Sequence, residues 1–65
     1  MLTINGENAE SAIGMALDAY LASKGYPSSR LAVERNGEIV PKACYSQVIL
    51  QDGDTVEIVR FVGGG

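Results

Sequence analysis

The sequence predicts an α+β fold: a mixed sheet of four to five strands packed on one main helix. Three observations carry that prediction. Two Asn-Gly pairs, Asn5-Gly6 and Asn36-Gly37, each sit between strand-like runs. One stretch of apolar residues at helical spacing lies between them, and an alternating run, Thr55 to Val62, closes the domain. Sixty-five residues make a single domain, too small for a cleft between two lobes. A chain of this size buries only about 60% of its unfolded surface. With one cysteine and no histidine, neither an internal disulfide nor a zinc cluster can staple it, so packing alone must hold the core.

The elements follow in order. Met1-Leu2-Thr3-Ile4-Asn5 alternates and runs into Asn5-Gly6, whose residues tolerate the positive φ of a tight hairpin turn. The return strand, Glu7 to Glu10, is short and polar, which suits an edge. Ser11 offers an N-cap, and Ile13, Ala16, Leu17, Tyr20 and Leu21 make one apolar helical stripe, with Gly14 an unexplained weak point inside it. Gly25 suits a left-handed helix end and Pro27 prevents resumption. After the loop at 28–30, Leu31–Arg35, Asn36-Gly37 and Glu38-Ile39-Val40 repeat the hairpin pattern, and Pro41 stops it. From Lys42 to Leu50 a turn or short helix can cover the core with Tyr45 and Val48, with Leu50 buried. Gln51-Asp52-Gly53-Asp54 is a tight turn into the last strand.

A helix crossing between two hairpins, with a right-handed connection, puts the last strand beside the first and parallel to it. That arrangement is the β-grasp. If Val56 and Ile58 face the helix with Leu2, Ile4, Leu17, Leu31 and Val33, then Val59 and Phe61 point to the opposite face. Two exposed apolar groups near the chain end would be a docking surface, with Arg60 and nearby acids setting orientation. A bulge that turns Phe61 inward is the alternative.

The domain is expected over 1–62 and a glycine tail over Gly63, Gly64 and Gly65. Three glycines add nothing to a core, but a backbone without Cβ atoms can thread a narrow channel and reaches about 10 Å when extended. A frayed end is the competing reading. The charge of −3, from eight acids and five scattered bases, argues against nucleic acid. No apolar run is long enough for a membrane span and no cationic leader precedes one, which with the free cysteine points to the cytoplasm.

Several segments together resemble the ThiS family, the small ubiquitin-like sulfur carriers of thiamin thiazole biosynthesis. They are Leu2-Thr3-Ile4-Asn5-Gly6-Glu7, Val33-Glu34-Arg35-Asn36-Gly37-Glu38-Ile39-Val40-Pro41, Leu50 to Ile58, and the Gly64-Gly65 end. Family members usually open the helix with a Thr-Val-x-Glu-Leu-Leu pattern, whereas this chain has Ser11-Ala12-Ile13-Gly14-Met15-Ala16-Leu17. The resemblance implies that Gly65 is the attachment point: an E1-like adenylating enzyme of the ThiF type activates it with ATP and Mg²⁺. A persulfide system then supplies sulfur, and thiazole synthase of the ThiG type receives it. Gly64 would thread the partner's channel with Gly65, and Gly63, which precedes the family's glycine pair, would lengthen that tail.

The residues agree with a carrier rather than a catalyst. An ionised α-carboxyl, with a pKa of about 3.5, is a poor electrophile and needs activation. No phosphate-cradling Gly-x-x-x-x-Gly-Lys-Ser/Thr loop occurs, so no bound cofactor is expected and ATP belongs to the partner. Without histidine the chain lacks the commonest general base. Cys44 beside Tyr45 suits a core-covering position better than a thiol carrier. Asp52 and Asp54 suit a turn better than a metal, and Glu34 and Glu57 suit a solvated strand face. The alternatives are the small subunit of molybdopterin synthase, another sulfur carrier, and a ubiquitin-like interaction module that carries nothing.

Overall fold

A computed structural model describes residues 1–27 and 29–61. Five strands form one sheet in the order β2-β1-β5-β3-β4, where β1 is Thr3–Ile4, β2 Glu7–Asn8, β3 Leu31–Arg35, β4 Glu38–Ile39 and β5 Thr55–Arg60. The pair β1–β5 is parallel and central, and the other pairs are antiparallel. The one α-helix among the described residues, α1, spans Leu17–Ser23. Both hairpins turn as expected, with Asn5 and Gly6 at φ 53° and 81° and Asn36 and Gly37 at 53° and 86°. Two successive positive φ values match the right-handed twist of the flanking strands.

Both turn asparagines also reach across to β5. Asn5 Oδ1 accepts from the Ile58 N–H at 2.7 Å, extending the β1 edge of the ladder by one side chain. Asn36 Oδ1 accepts from the Thr55 N–H at 2.9 Å. Asn5→Gly keeps the turn but removes the acceptor from a partly buried N–H, so denaturant unfolding should register a loss of about 1 kcal/mol. An unchanged midpoint would show that this bond contributes nothing.

The core is the predicted one: Leu2, Ile4, Leu17, Leu31, Val33, Val56 and Ile58 are buried, joined by Ala12, Tyr20, Leu21, Val40, Tyr45 and Leu50. Val48 and Cys44 pack partly buried against it. Within 42–50, a 3-10 helix over Lys42–Cys44 leads into an isolated bridge between Ile49 and Ala16. Pro41 follows the short β4, and the Val40 N–H still bonds the Val33 carbonyl at 2.8 Å.

The helix start differs from expectation. Ser11 is not its N-cap but lies inside a 3-10 turn, Glu10–Ala12, and Ile13 is 39% exposed rather than part of the stripe. Residues 14–17 are instead hydrogen-bonded to 48–50: Gly14 N–H bonds Leu50 O, Leu50 N–H bonds Met15 O, and Leu17 N–H bonds Val48 O, at 2.8–2.9 Å. Gly14 occupies φ 93°, a left-handed conformation that explains the glycine there. The helix opens at Ala16, which has extended φ and ψ and makes no side-chain cap bond. The departure from the family pattern at 11–17 thus falls almost wholly before the α-helix, which begins at Leu17. Ala16→Ser should raise stability by about 1 kcal/mol, read as a higher melting temperature. A lower midpoint would mean that the half-buried Ala16 site does not admit the hydroxyl.

At its other end α1 closes as predicted. Gly25, at φ 78°, donates to Ala22 O, and Tyr26 N–H donates to Leu21 O at 3.0 Å, the paired bonds of a Schellman stop. The last strand is described to Arg60, and the expected strand position Val62 lies outside the described residues.

Candidate functional site

The strand that carries the chain toward its glycines is the middle one of five, held from both sides as far as Ile58 and from the β3 side beyond it. On one side β3 pairs with β5 from Leu31–Arg60 to Arg35–Val56, and Phe61 N–H continues this ladder by donating to Arg30 O at 2.9 Å. On the other side β1 pairs only at Thr55 and Val56, and the Asn5 side chain takes over at Ile58. Gly63, Gly64 and Gly65 lie outside the described residues.

Alternation along β5 sorts the predicted docking residues. Val56 and Ile58 are buried beneath the helix, while Val59 is 50% and Phe61 56% exposed on the outer face. No inward bulge hides Phe61. Arg60 does not join them. It pairs with the buried Leu31, so its side chain leaves from the helix-facing side, at an open depression of about 370 Å³ lined also by Glu7, Tyr20, Lys24 and Tyr26. Lys24 Nζ stands 5.9 Å from the Tyr20 ring centroid there, within cation–π range. The expected triad is therefore an apolar pair on one face and a cation on the other.

The outer face holds residues that the sequence reading left unassigned. Ile39 on β4 is 64% exposed, and the two-residue turn pairs it with Glu34 and so puts it on the same face. The signal was available, because a hairpin with Asn36-Gly37 at its tip fixes that pairing. Glu34 lies directly opposite Glu57, and Ala32 opposite Val59.

At the opposite end of β5, Asp54 is only 6% exposed. Its carboxylate accepts from Arg35 Nε at 2.9 Å and from Asn36 Nδ2 and the Gln51 N–H at 3.1 Å. Burial pushes the Asp54 carboxyl up, but the bonds from Asn36, Gln51 and Arg35 outweigh it and hold the group below the ordinary carboxylate range. Asp52 is exposed and pairs with the Met1 ammonium at 2.6 Å, which lowers the Asp52 pKa and raises that of the amine through the same hydrogen bond. Such an exposed pair adds little to stability. Among the described residues no group of three or more His, Cys, Asp or Glu side chains could hold a metal. None of their helices is long and apolar enough to cross a membrane.

The model of the ThiS family matches residues 2–65. The chain belongs to the ThiS family. Its mixed five-stranded sheet with one helix among the described residues is the ubiquitin-like β-grasp architecture. The sulfur carrier protein ThiS of Bacillus subtilis is 43% identical over 67 residues, covering the whole of both chains. A thiazole synthase of Paramagnetospirillum magneticum is 52% identical over 64 residues, which are 98% of this chain but 20% of that protein. The chain thus spans about a fifth of the length of the thiazole synthases it matches. A crystal structure of the thiamine biosynthesis protein ThiS from Geobacter metallireducens superposes with a TM-score of 0.76 at 31% identity, covering 98% of this chain and 97% of that one.

Proposed function

We propose that Gly65 carries sulfur as a thiocarboxylate destined for the thiazole of thiamin. The supporting observation is that the ThiS family match runs through to Gly65, beyond a central strand that presents Val59 and Phe61 outward. The α-carboxylate attacks the α-phosphorus of ATP held with Mg²⁺ by a ThiF-type adenylating enzyme, and pyrophosphate leaves. A persulfide sulfur then attacks the acyl adenylate and AMP leaves; a thiol attacks the donor-side sulfur of the resulting acyl disulfide, forming a new disulfide and releasing the thiocarboxylate on Gly65. Thiazole synthase accepts the sulfur and returns the carboxylate.

On this reading the chain is a cosubstrate in the cytoplasm, with no catalytic residue of its own. Val59 and Phe61 provide apolar contact with each enzyme. Ordering each threaded glycine costs roughly 1–2 kcal/mol of backbone entropy, which keeps the complexes transient and permits transfer between partners. The match to ThiS favours thiazole formation over molybdopterin synthesis. Intact-mass spectrometry after incubation with the adenylating enzyme, ATP and a sulfur donor should reveal one oxygen of the chain replaced by sulfur. An unchanged mass with partners that load another ThiS protein would sink the proposal.

A further inference from the structure

We propose that the opposed pair Glu34–Glu57, flanked by Ile39, Ala32 and Val59, is the specificity element of the outer face. It selects a protein partner that presents an arginine or lysine inside an apolar patch. The inference rests on the carrier reading and names the chemistry by which the adenylating enzyme recognises this domain.

The register sets the geometry. Glu34 and Glu57 are direct antiparallel partners on adjacent strands, both exposed, and among the described residues neither makes an ion pair or a side-chain hydrogen bond. Like charges directly opposite across a sheet are unfavourable, so the pair detracts from the isolated fold. Among the described residues no cation is paired with either carboxylate. Arg35 pairs with Val56 on the helix-facing side and is engaged by Asp54, Arg60 leaves from that same side, Lys24 follows α1, and Lys42 lies in the 3-10 helix.

Apolar groups flank the carboxylates on the β4 side and on the side toward the chain end. Ile39 flanks Glu34 on the β4 side, and Ala32 and Val59 form the next row along β3 and β5. Ile39 and Val59 are half exposed or more, and Phe61 continues the apolar line toward the glycines. A cation docked between the carboxylates would be partly shielded from water by these groups and by the partner's own apolar surface, where a charge pair strengthens and discriminates between partners. A second copy of the chain fits poorly, since a two-fold contact over this face would bring four carboxylates together. Nucleic acid is repelled.

The test compares wild type with the isosteric double variant E34Q/E57Q as substrates of the purified ThiF-type enzyme in ATP–pyrophosphate exchange. The double variant should raise KM about tenfold at unchanged kcat, with a melting midpoint equal to or above that of wild type. Wild-type KM should also climb with ionic strength more steeply than that of the variant. E38Q makes a single charge change on β4, at the position paired with Arg35, and should leave KM unaltered. An unchanged KM for E34Q/E57Q overturns the proposal, as does an equal rise in E38Q, which would reduce the effect to net charge. A flat salt dependence of wild-type KM overturns it without reference to any variant. In each of these cases the loading of wild type leaves the carrier reading standing, whereas a wild type that is never activated removes both.

Discussion

Removal of Gly64 and Gly65 should abolish sulfur loading while leaving the unfolding transition where it is. The shortened chain would still end in an α-carboxyl on Gly63, a group with the same intrinsic pKa of about 3.5 and the same reactivity once activated. What it loses is reach. Two extended residues amount to about 7 Å, far more than the sub-ångström tolerance of an in-line attack on a bound nucleotide. Stability should not follow, because all the buried core residues among those described lie between Leu2 and Ile58. Adenylation assayed by pyrophosphate exchange, beside a thermal melt of the same sample, separates the two quantities. Residual loading at a substantial rate would show that the partner does not measure the length of the tail. A collapse of the melting midpoint would make the tail part of the fold. Gly64→Ala is the milder form of the experiment: it retains length and carboxyl, and a loss of turnover would isolate the width of the channel.

The second large effect lies at the opposite end of β5. Asp54→Ala should destabilise the domain by about 3 kcal/mol, since it strands the partly buried Arg35 and withdraws an acceptor from both Asn36 and the Gln51 N–H. For 65 residues the whole stability is on the order of 5 kcal/mol, so this variant should melt far below wild type. The same carboxylate sets a pH dependence. Its pKa is lower in the folded state than in the unfolded one, so its contribution is complete above the unfolded value, near 4, and is lost as pH falls through the folded value. Urea midpoints measured from pH 6 downward should therefore fall for wild type on acidification below about pH 4, and less steeply for Asp54→Asn. Parallel acid profiles would show that Asp54 is not the group responsible.

Much of this architecture can be read from local chemistry. Asn5-Gly6 and Asn36-Gly37 fix two turns and, through them, the register of two hairpins, including the outward position of Ile39. Alternation in Thr55–Arg60 puts Val56 and Ile58 inward and Val59 outward, and the glycine with left-handed φ at Gly25 ends the helix. The start of α1 escaped the same reading. Its apolar spacing continues back to Ile13, yet residues 14–17 are taken up by hydrogen bonds to residues 48–50, some thirty positions away, and no local propensity encodes that contact. Arg60 was misplaced in the docking triad for a simpler reason. Adjacent residues on a strand face opposite ways, so Val59-Arg60-Phe61 cannot form one surface.

The sequence by itself determined the β-grasp class, the identity of the core and the family, because turn chemistry, side-chain period and the glycine end are all properties of short segments. Only the tertiary structure decided that Asp54 is a buried anchor rather than a turn residue, and that Glu34 meets Glu57 across β3 and β5. Both depend on the pairing of strands separated by about twenty residues. That register is selected by the packing of the whole core and not by any single window of the chain.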